Sequence, residues 1–196
     1  MNENEEYKTI RMPPKVFQKI EESVVNSIYI PLHITKVPID PFDIAARLGY
    51  TVKSFASFPE ALQKGFQEND VDGISLFDPK QQSFIIYYNH LSFDTRIRFT
   101  IMHEIGHIIL GHKEESILAK RMADYFASYS LAPSPLIMLF GQNADIASIF
   151  NVSAECGYYC RERFLLWYFR NDPFTPYENE LLDLFDYPSF KEEKHG

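Results

Sequence analysis

The segment TIMHEIGHIILGH, Thr100 to His112, holds three histidines and one glutamate among mostly apolar residues. Isoleucine and leucine at this density are typical of a buried helix, whereas histidine and glutamate are costly to bury unless they have partners. The apolar residues therefore predict a helix in the core, and the polar residues predict that this helix carries a site. Asp94 is the predicted N-cap of the helix, which should run to about Leu110.

Two of the three histidines have the spacing of a metal site. His103 and His107 are four residues apart, so on a helix both imidazoles project from one face and can take two corners of a tetrahedral zinc site. Glu104 lies about 100° further around the helix, where it could take a proton from metal-bound water. This is the H-E-x-x-H pattern of zinc metallopeptidases. The alternative is a core helix with two hydrogen-bonded histidines and Glu104 in a salt bridge.

The third histidine, His112, does not extend this pattern. In the longer form, H-E-x-x-H-x-x-G-x-x-H, the glycine and the last histidine stand at offsets that Gly111 and His112 do not match. We interpret His112 as a polar residue at the end of the helix, where a cationic ring suits the helix dipole.

The wider segment RIRFTIMHEIGHIILGH…ADYFASYSLAPSPL, residues 96–136, resembles the ImmA/IrrE family of zinc metallopeptidases. Members carry an RFT-x-x-HE-x-GH helix and a second helix that ends in the pattern A-N/D-x-F-A…L-x-P. The resemblance implies a gluzincin-like zinc metalloendopeptidase in which His103 and His107 bind zinc and Glu104 is the general base. It also implies a protein substrate, and a transcriptional repressor as the kind of substrate. The second pattern is matched here by Ala123, Asp124, Phe126, Ala127, Leu131 and Pro133.

The third metal ligand is where this chain departs from the family. Family members usually carry a glutamate four residues before the Asn/Asp of the second pattern, and Lys120 stands there instead. An ammonium group cannot bind a dication in its charged form. Asp124 lies one helical turn further on, and we predict that it supplies the third ligand. The alternative is that Asp124 does not bind the metal and instead orients a histidine that does. In the second case Lys120 would pair with Glu104 in a metal-poor site.

The remaining sequence predicts an α+β fold. Helices are expected at 13–29 and 41–50, and a second helix of the metal-binding pair at about 115–131. Strands are expected at 50–55, 71–77 and 83–89, the last two joined as a hairpin by the turn-rich segment DPKQQ. We predict a small, mainly antiparallel three-stranded sheet packed on the metal-binding helix pair, with additional N- and C-terminal helices. Strand 83–89 is expected at the rim of the site, where it could bind substrate through backbone hydrogen bonds.

The C-terminal part of the chain predicts further helices. We expect a metallopeptidase-like domain at 1–140, a helical extension packed on it at 141–188 and a flexible tail at 189–196. The segment DIASIFNVSAECGYYCRERF resembles a helix-turn-helix, with a turn at Asn151 and Val152 and a cap at Ser153. The charges of its second helix nearly cancel and many of its residues are aromatic, which favours ordinary packing over DNA binding. Cys156 and Cys160 are predicted to be buried thiols.

Composition narrows the function classes. The 196 residues carry a formal net charge of -8, which disfavours nucleic acid as a partner. The N-terminus MNENEEYKTI lacks the features of a signal peptide, and no apolar run approaches the length of a membrane span, so we predict a cytoplasmic protein with no membrane partner. Two alternatives to a zinc peptidase stay open. One is a catalytically impaired relative that binds a protein without cutting it, and the other is a transcriptional regulator that uses the C-terminal helices.

Overall fold

The computed structural model describes residues 12–114 and 116–186. Glu115, the predicted first residue of the second site helix, and the predicted tail at 189–196 lie outside these ranges. The helices are α1 (Pro14–Val24, continued by a π-helical turn at Val25–Tyr29), α2 (Pro41–Arg47), α3 (Glu60–Glu68), α4 (Asp94–Ile109), α5 (Ile117–Leu131), α6 (Ser134–Met138), α7 (Ile146–Phe150), α8 (Ala154–Tyr168) and α9 (Pro176–Leu184), and the strands are β1 (Thr51–Ser54), β2 (Gly73–Asp78) and β3 (Ser83–Tyr88).

The α+β class is confirmed, and the chain divides into two units. Among the described residues, one unit comprises 12–13 and 40–127, and the other comprises 14–39 and 128–186. The first therefore holds the sheet, α4 and most of α5, and the second holds α1 and the helices that follow α5. The predicted division at residues 140 and 188 stays a prediction.

The sheet is mixed rather than mainly antiparallel. Its strand order is β1-β3-β2, with β3 parallel to β1 and antiparallel to β2. The predicted hairpin of β2 and β3 is therefore confirmed. The prediction of a mainly antiparallel sheet was wrong because it overlooked α3, which lies in the connection from β1 to the hairpin. Such a crossover is what allows β3 to lie beside β1 in the same direction.

Helix α3 was not predicted from the sequence, because it is a short helix with no buried residue of its own. The segment is anchored by aromatic residues rather than by a long apolar stripe. The ring of Phe66 stacks on Phe55 with centroids 4.4 Å apart, and Phe58 packs on Tyr87 of β3 at 4.5 Å. These contacts place α3 against the sheet, although α3 itself has no fully buried residue.

The sheet packs on α4, as predicted, and two glycines mark the closest approaches. A Cβ atom on Gly73 of β2 would overlap Thr100 and would lie 3.4 Å from the Cγ atom of Glu104. A Cβ atom on Gly106 would lie 2.9–3.1 Å from side-chain atoms of Phe126 on α5. The absence of side chains at these two positions lets β2 and α5 approach the helix that carries the H-E-x-x-H pattern.

The second unit is held by buried polar contacts in addition to apolar packing. The Tyr29 hydroxyl donates to the backbone oxygen of Ser130 at 2.7 Å, and the Tyr177 hydroxyl donates to Glu21 at 2.9 Å. Helices α7 and α8 form the predicted helix-turn-helix. Asn151 adopts a left-handed conformation between them, with φ of 50°, and the Ser153 hydroxyl accepts a hydrogen bond from the backbone N–H of Cys156.

In the described part of the chain, no helix is both long enough and apolar enough to cross a membrane.

Candidate metal centre

Helix α4 carries the three residues of the H-E-x-x-H pattern. It runs over the predicted segment, although Phe93 rather than Asp94 is its N-cap and the cap makes no side-chain hydrogen bond. Its start is instead tied to the sheet by Arg96, whose Nε atom donates to Asp72 at 3.0 Å just before β2. Glu104 is buried beneath β2 with 8% of its surface exposed. The helix is thus fixed at its first turn and at the level of the site.

The two predicted zinc ligands converge. The Nε2 atoms of His103 and His107 lie 3.0 Å apart. Two imidazole nitrogens that bind one tetrahedral zinc at about 2.0–2.1 Å stand about 3.3–3.4 Å apart, so the observed distance is a few tenths of an ångström shorter. The two rings therefore fit two corners of a zinc site with little movement.

Asp124 contacts the other nitrogen of His103. Its Oδ1 atom lies 2.8 Å from Nδ1, on the side of the ring away from the Nε2 atom that faces His107. A carboxylate at this position accepts the Nδ1–H proton and leaves the Nε2 lone pair free, as carboxylate partners of zinc-binding histidines do. Of the two roles that the sequence left open, the distance favours the orienting one over the predicted third ligand.

His112 makes a contact that the sequence analysis did not anticipate. Its Nδ1 atom lies 3.0 Å from the Nδ1 atom of His107, so it does more than end the helix. If His107 donates through Nδ1, its Nε2 lone pair faces the lone pair of His103. Two lone pairs 3.0 Å apart repel each other unless a cation or a proton lies between them. In this tautomer, the two facing Nε2 atoms are suited to hold a cation.

The sequence offered a weak signal for this contact. Residue 112 follows residue 107 by five positions, beyond the 3–4 spacing that places side chains on one helix face. The contact forms because α4 ends at Ile109 and Gly111 adopts a φ of +68°. That left-handed glycine turns the chain so that the next side chain returns over the last turn.

The surroundings keep His107 neutral. Burial, followed by the neighbouring rings of His103 and His112 and the ammonium of Lys120, lowers the pKa of His107 to about 4, against the opposing effect of Asp124. Burial and the ring of His103 also lower the pKa of His112. A neutral imidazole is the form that binds a metal, so ligation at neutral pH needs no costly deprotonation of His107.

A third protein ligand is missing from the arrangement of the described residues. Within residues 12–114 and 116–186, no group of three or more His, Cys, Asp or Glu side chains is arranged to hold a metal ion. The geometry explains this finding, since Asp124 and His112 contact the outer nitrogens of the pair. Lys120 stands on α5 one turn before Asp124, near enough for its charge to act on His107. The donors present thus fit a zinc ion at two corners.

Comparison with known proteins agrees with the pattern of residues. A family model described as the IrrE N-terminal-like domain, from a peptidase family, matches residues 60–160. That range covers more than half of the chain and includes both strands of the hairpin, α4 and α5. A search of curated proteins found no match. The chain belongs to the ImmA/IrrE peptidase family.

Proposed function

We propose that the protein is a zinc-dependent endopeptidase that acts in the cytoplasm on a protein substrate, a transcriptional repressor being the kind expected. The observation that carries the proposal is the convergence of the His103 and His107 Nε2 atoms at 3.0 Å beside the buried Glu104. Asp124 and His112 support it, because they contact the outer Nδ1 atoms of His103 and His107 and leave the two Nε2 atoms facing each other. Family membership supplies the peptidase class.

In the proposed mechanism, His103 and His107 hold zinc, and Asp124 keeps His103 in the required tautomer. Zinc would supply Lewis acidity toward the scissile carbonyl and toward the attacking water. Glu104 would accept a proton from that water and deliver it to the leaving amine. Glu104 lies beneath β2 with 8% of its surface exposed, so this exchange would take place away from bulk water.

The strand that we propose for substrate binding is β2, not β3 as the sequence predicted. Strand β3 was expected to bind substrate through its backbone, but residues 85–88 pair with β1 on one side and β2 on the other. Strand β2 is an outer strand, begins over Glu104 at Gly73, and exposes Leu76 and Phe77 at 49% and 50%. We propose that an extended substrate segment pairs with β2.

The replacement Glu104→Gln tests the mechanism. The zinc-loaded variant should retain its metal, because Glu104 is not a ligand, and should lose cleavage of a library of unstructured peptides analysed by mass spectrometry. Glu162→Gln, an exposed change on α8, serves as the matched control and should cleave like the wild type. Cleavage that persists in the Glu104→Gln protein would show that another group is the general base.

A second candidate is a pseudopeptidase that binds its partner without cutting it. Lys120, at the usual position of the third ligand and electrostatically coupled to His107, favours this candidate. Elemental analysis of the wild type, Asp124→Ala and Lys120→Glu separates the two functions. Zinc near one per chain in the wild type supports the enzyme. Low zinc in the wild type with a sharp rise in Lys120→Glu supports the pseudopeptidase.

The transcriptional-regulator alternative rests on the helix-turn-helix of α7 and α8. The exposed face of α8 presents Tyr158, Tyr159 and Leu166, together with Glu155 and Glu162, which is a poor surface for phosphate contacts. An electrophoretic mobility shift at physiological salt decides this alternative, because specific DNA binding should persist there.

A further inference from the structure

The two cysteines of the chain form a pair on α8. Cys156 and Cys160 are one helical turn apart, and their Sγ atoms lie 3.9 Å from each other. Cys160 is fully buried, whereas Cys156 is partly exposed at the first turn of the helix. The prediction of buried thiols is confirmed for Cys160, and the structure also brings the two sulfur atoms into direct contact.

The surroundings of the pair favour one shared negative charge. Arg163 lies one turn of α8 beyond Cys160 and is fixed there by hydrogen bonds to the Ser128 hydroxyl at 3.0 Å and to the backbone oxygen of Ala132 at 2.6 Å. The hydrogen bond from the Cys156 thiol and the Arg163 guanidinium lower the pKa of Cys160, while burial opposes them. The hydrogen bond with Cys160 and burial raise the pKa of Cys156, so the charge of the pair is favoured on Cys160.

We propose that Cys156 and Cys160 are a redox modification site that a hydroperoxide converts into a reversible intrahelical disulfide. One thiolate attacks a peroxide oxygen and the O–O bond breaks, which leaves a sulfenic acid on that cysteine. The departing alkoxide or hydroxide takes up a proton and leaves as an alcohol or water. The second thiol then attacks the sulfenic sulfur, the S–S bond forms, and water leaves. The two cysteines together lose two electrons and two protons, and the peroxide takes up both.

The disulfide would disturb the start of α8. Residues four apart on a helix have Cβ atoms about 5–6 Å apart, whereas a disulfide holds its Cβ atoms about 3.5–4.5 Å apart. The first turn of α8 must therefore distort when the bond forms. Gly157 lies within this turn and is packed on α7, because a Cβ atom there would stand 3.3 Å from the backbone nitrogen of Ala147. Oxidation should consequently loosen the contact between α7 and α8.

A strained disulfide is also easily reduced, because strain raises its reduction potential. This property distinguishes a reversible modification from a structural crosslink. The pair is thus suited to respond to oxidant and to recover when a cytoplasmic thiol reductant acts on it.

Peroxide treatment of the full-length protein, followed by alkylation and intact-mass analysis, tests the proposal. At low hydrogen peroxide the wild type should lose two hydrogens and both alkylation sites together, and dithiothreitol should restore both. The variants Cys156→Ser and Cys160→Ala keep one thiol each and should gain oxygen instead. Wild-type protein that gains oxygen on either sulfur, or keeps both alkylation sites while glutathione in the same tube is oxidised, would overturn the proposal.

Hydrogen exchange tests the conformational part in the same samples. Amides in the first turn of α8 and in α7 should exchange faster after oxidation, while those of α9 should not change. Faster exchange that reverses with dithiothreitol supports the coupling between the bond and the helix. A disulfide that forms without any change in exchange at residues 146–160 would refute the predicted distortion.

Discussion

Replacing Asp124 with Asn should weaken zinc binding without abolishing it. The carboxylate lies 2.8 Å from the Nδ1 atom of His103, which is the normal length of a charge-assisted hydrogen bond. An asparagine oxygen can still accept this hydrogen bond, but it removes the negative charge that makes the imidazole a stronger ligand. The change therefore isolates the electrostatic part of the orienting role.

The expected loss of zinc affinity can be estimated from the solvent exposure of the Asp124 and His103 side chains. Outer partners of metal-binding histidines contribute about 10–100-fold to metal affinity, or about 1.4–2.8 kcal/mol. The side chain of Asp124 is 35% exposed and that of His103 is 19% exposed, so solvent screens part of their interaction. We accordingly expect a loss near the lower limit, of about ten-fold.

Competition with a chromogenic zinc chelator measures this affinity directly. Asp183→Asn, an exposed aspartate on α9, is the matched control and should bind zinc like the wild type. An unchanged affinity in Asp124→Asn would refute the orienting role. A loss of more than about a thousand-fold would instead show that Asp124 is a ligand, because removal of one of three ligands leaves only weak binding by two histidines.

Three further changes follow from the same structure. Gly106→Ala should lower the free energy of unfolding, measured in urea, by about 1–3 kcal/mol, because the added Cβ atom would lie 2.9–3.1 Å from Phe126. Gly65→Ala is the control and should be neutral or stabilising, because a Cβ atom there meets nothing within 4 Å. His112→Ala should weaken zinc binding by about ten-fold. His112→Asn should recover part of this loss, because the asparagine oxygen can accept a hydrogen bond from His107. Equal zinc affinities in the two variants would contradict this prediction. In the metal-free folded protein the pKa of His107 is lowered to about 4, whereas in the unfolded chain it keeps its ordinary value of 6.5. As pH falls from 6.5, His107 therefore binds a proton in the unfolded chain before it does so in the folded protein. The free energy of unfolding should therefore decrease as pH falls from 6.5 to about 4. His107→Gln should make this decrease smaller in urea titrations at several pH values.

Much of the site could be predicted from local sequence, because a helix fixes the relation between residues three and four apart. His103, Glu104 and His107 were placed by that periodicity alone. The lengths of α4 and α5 followed from the apolar run and from the prolines after Leu131. The hairpin was likewise predictable from two strand-like segments and a short polar turn.

Contacts that depend on the path of the chain were not predictable in this way. The mixed order of the sheet depends on α3, whose short segment is held by Phe55, Phe58 and Tyr87 rather than by its own pattern. His112 reaches His107 only because Gly111 reverses the chain. The close approach at Gly106 is to the side chain of Phe126, a contact between two helices that no local pattern in the sequence indicates.

The balance between enzyme and binding module rests on Lys120. Asp124 and His112 contact the outer nitrogens of His103 and His107, and these contacts favour metal binding because they hold the two rings in place before a metal binds. The ammonium of Lys120 acts against it in two ways, because it supplies no lone pair and because its charge repels a dication. Lys120→Glu reverses both effects, whereas Asp124→Asn removes only one outer charge. Zinc affinity should therefore rise in the order Asp124→Asn, wild type, Lys120→Glu, with the larger step between the last two. A Lys120→Glu protein that binds zinc no more tightly than the wild type would show that position 120 does not face the metal, and the third ligand would then have to come from elsewhere in the chain.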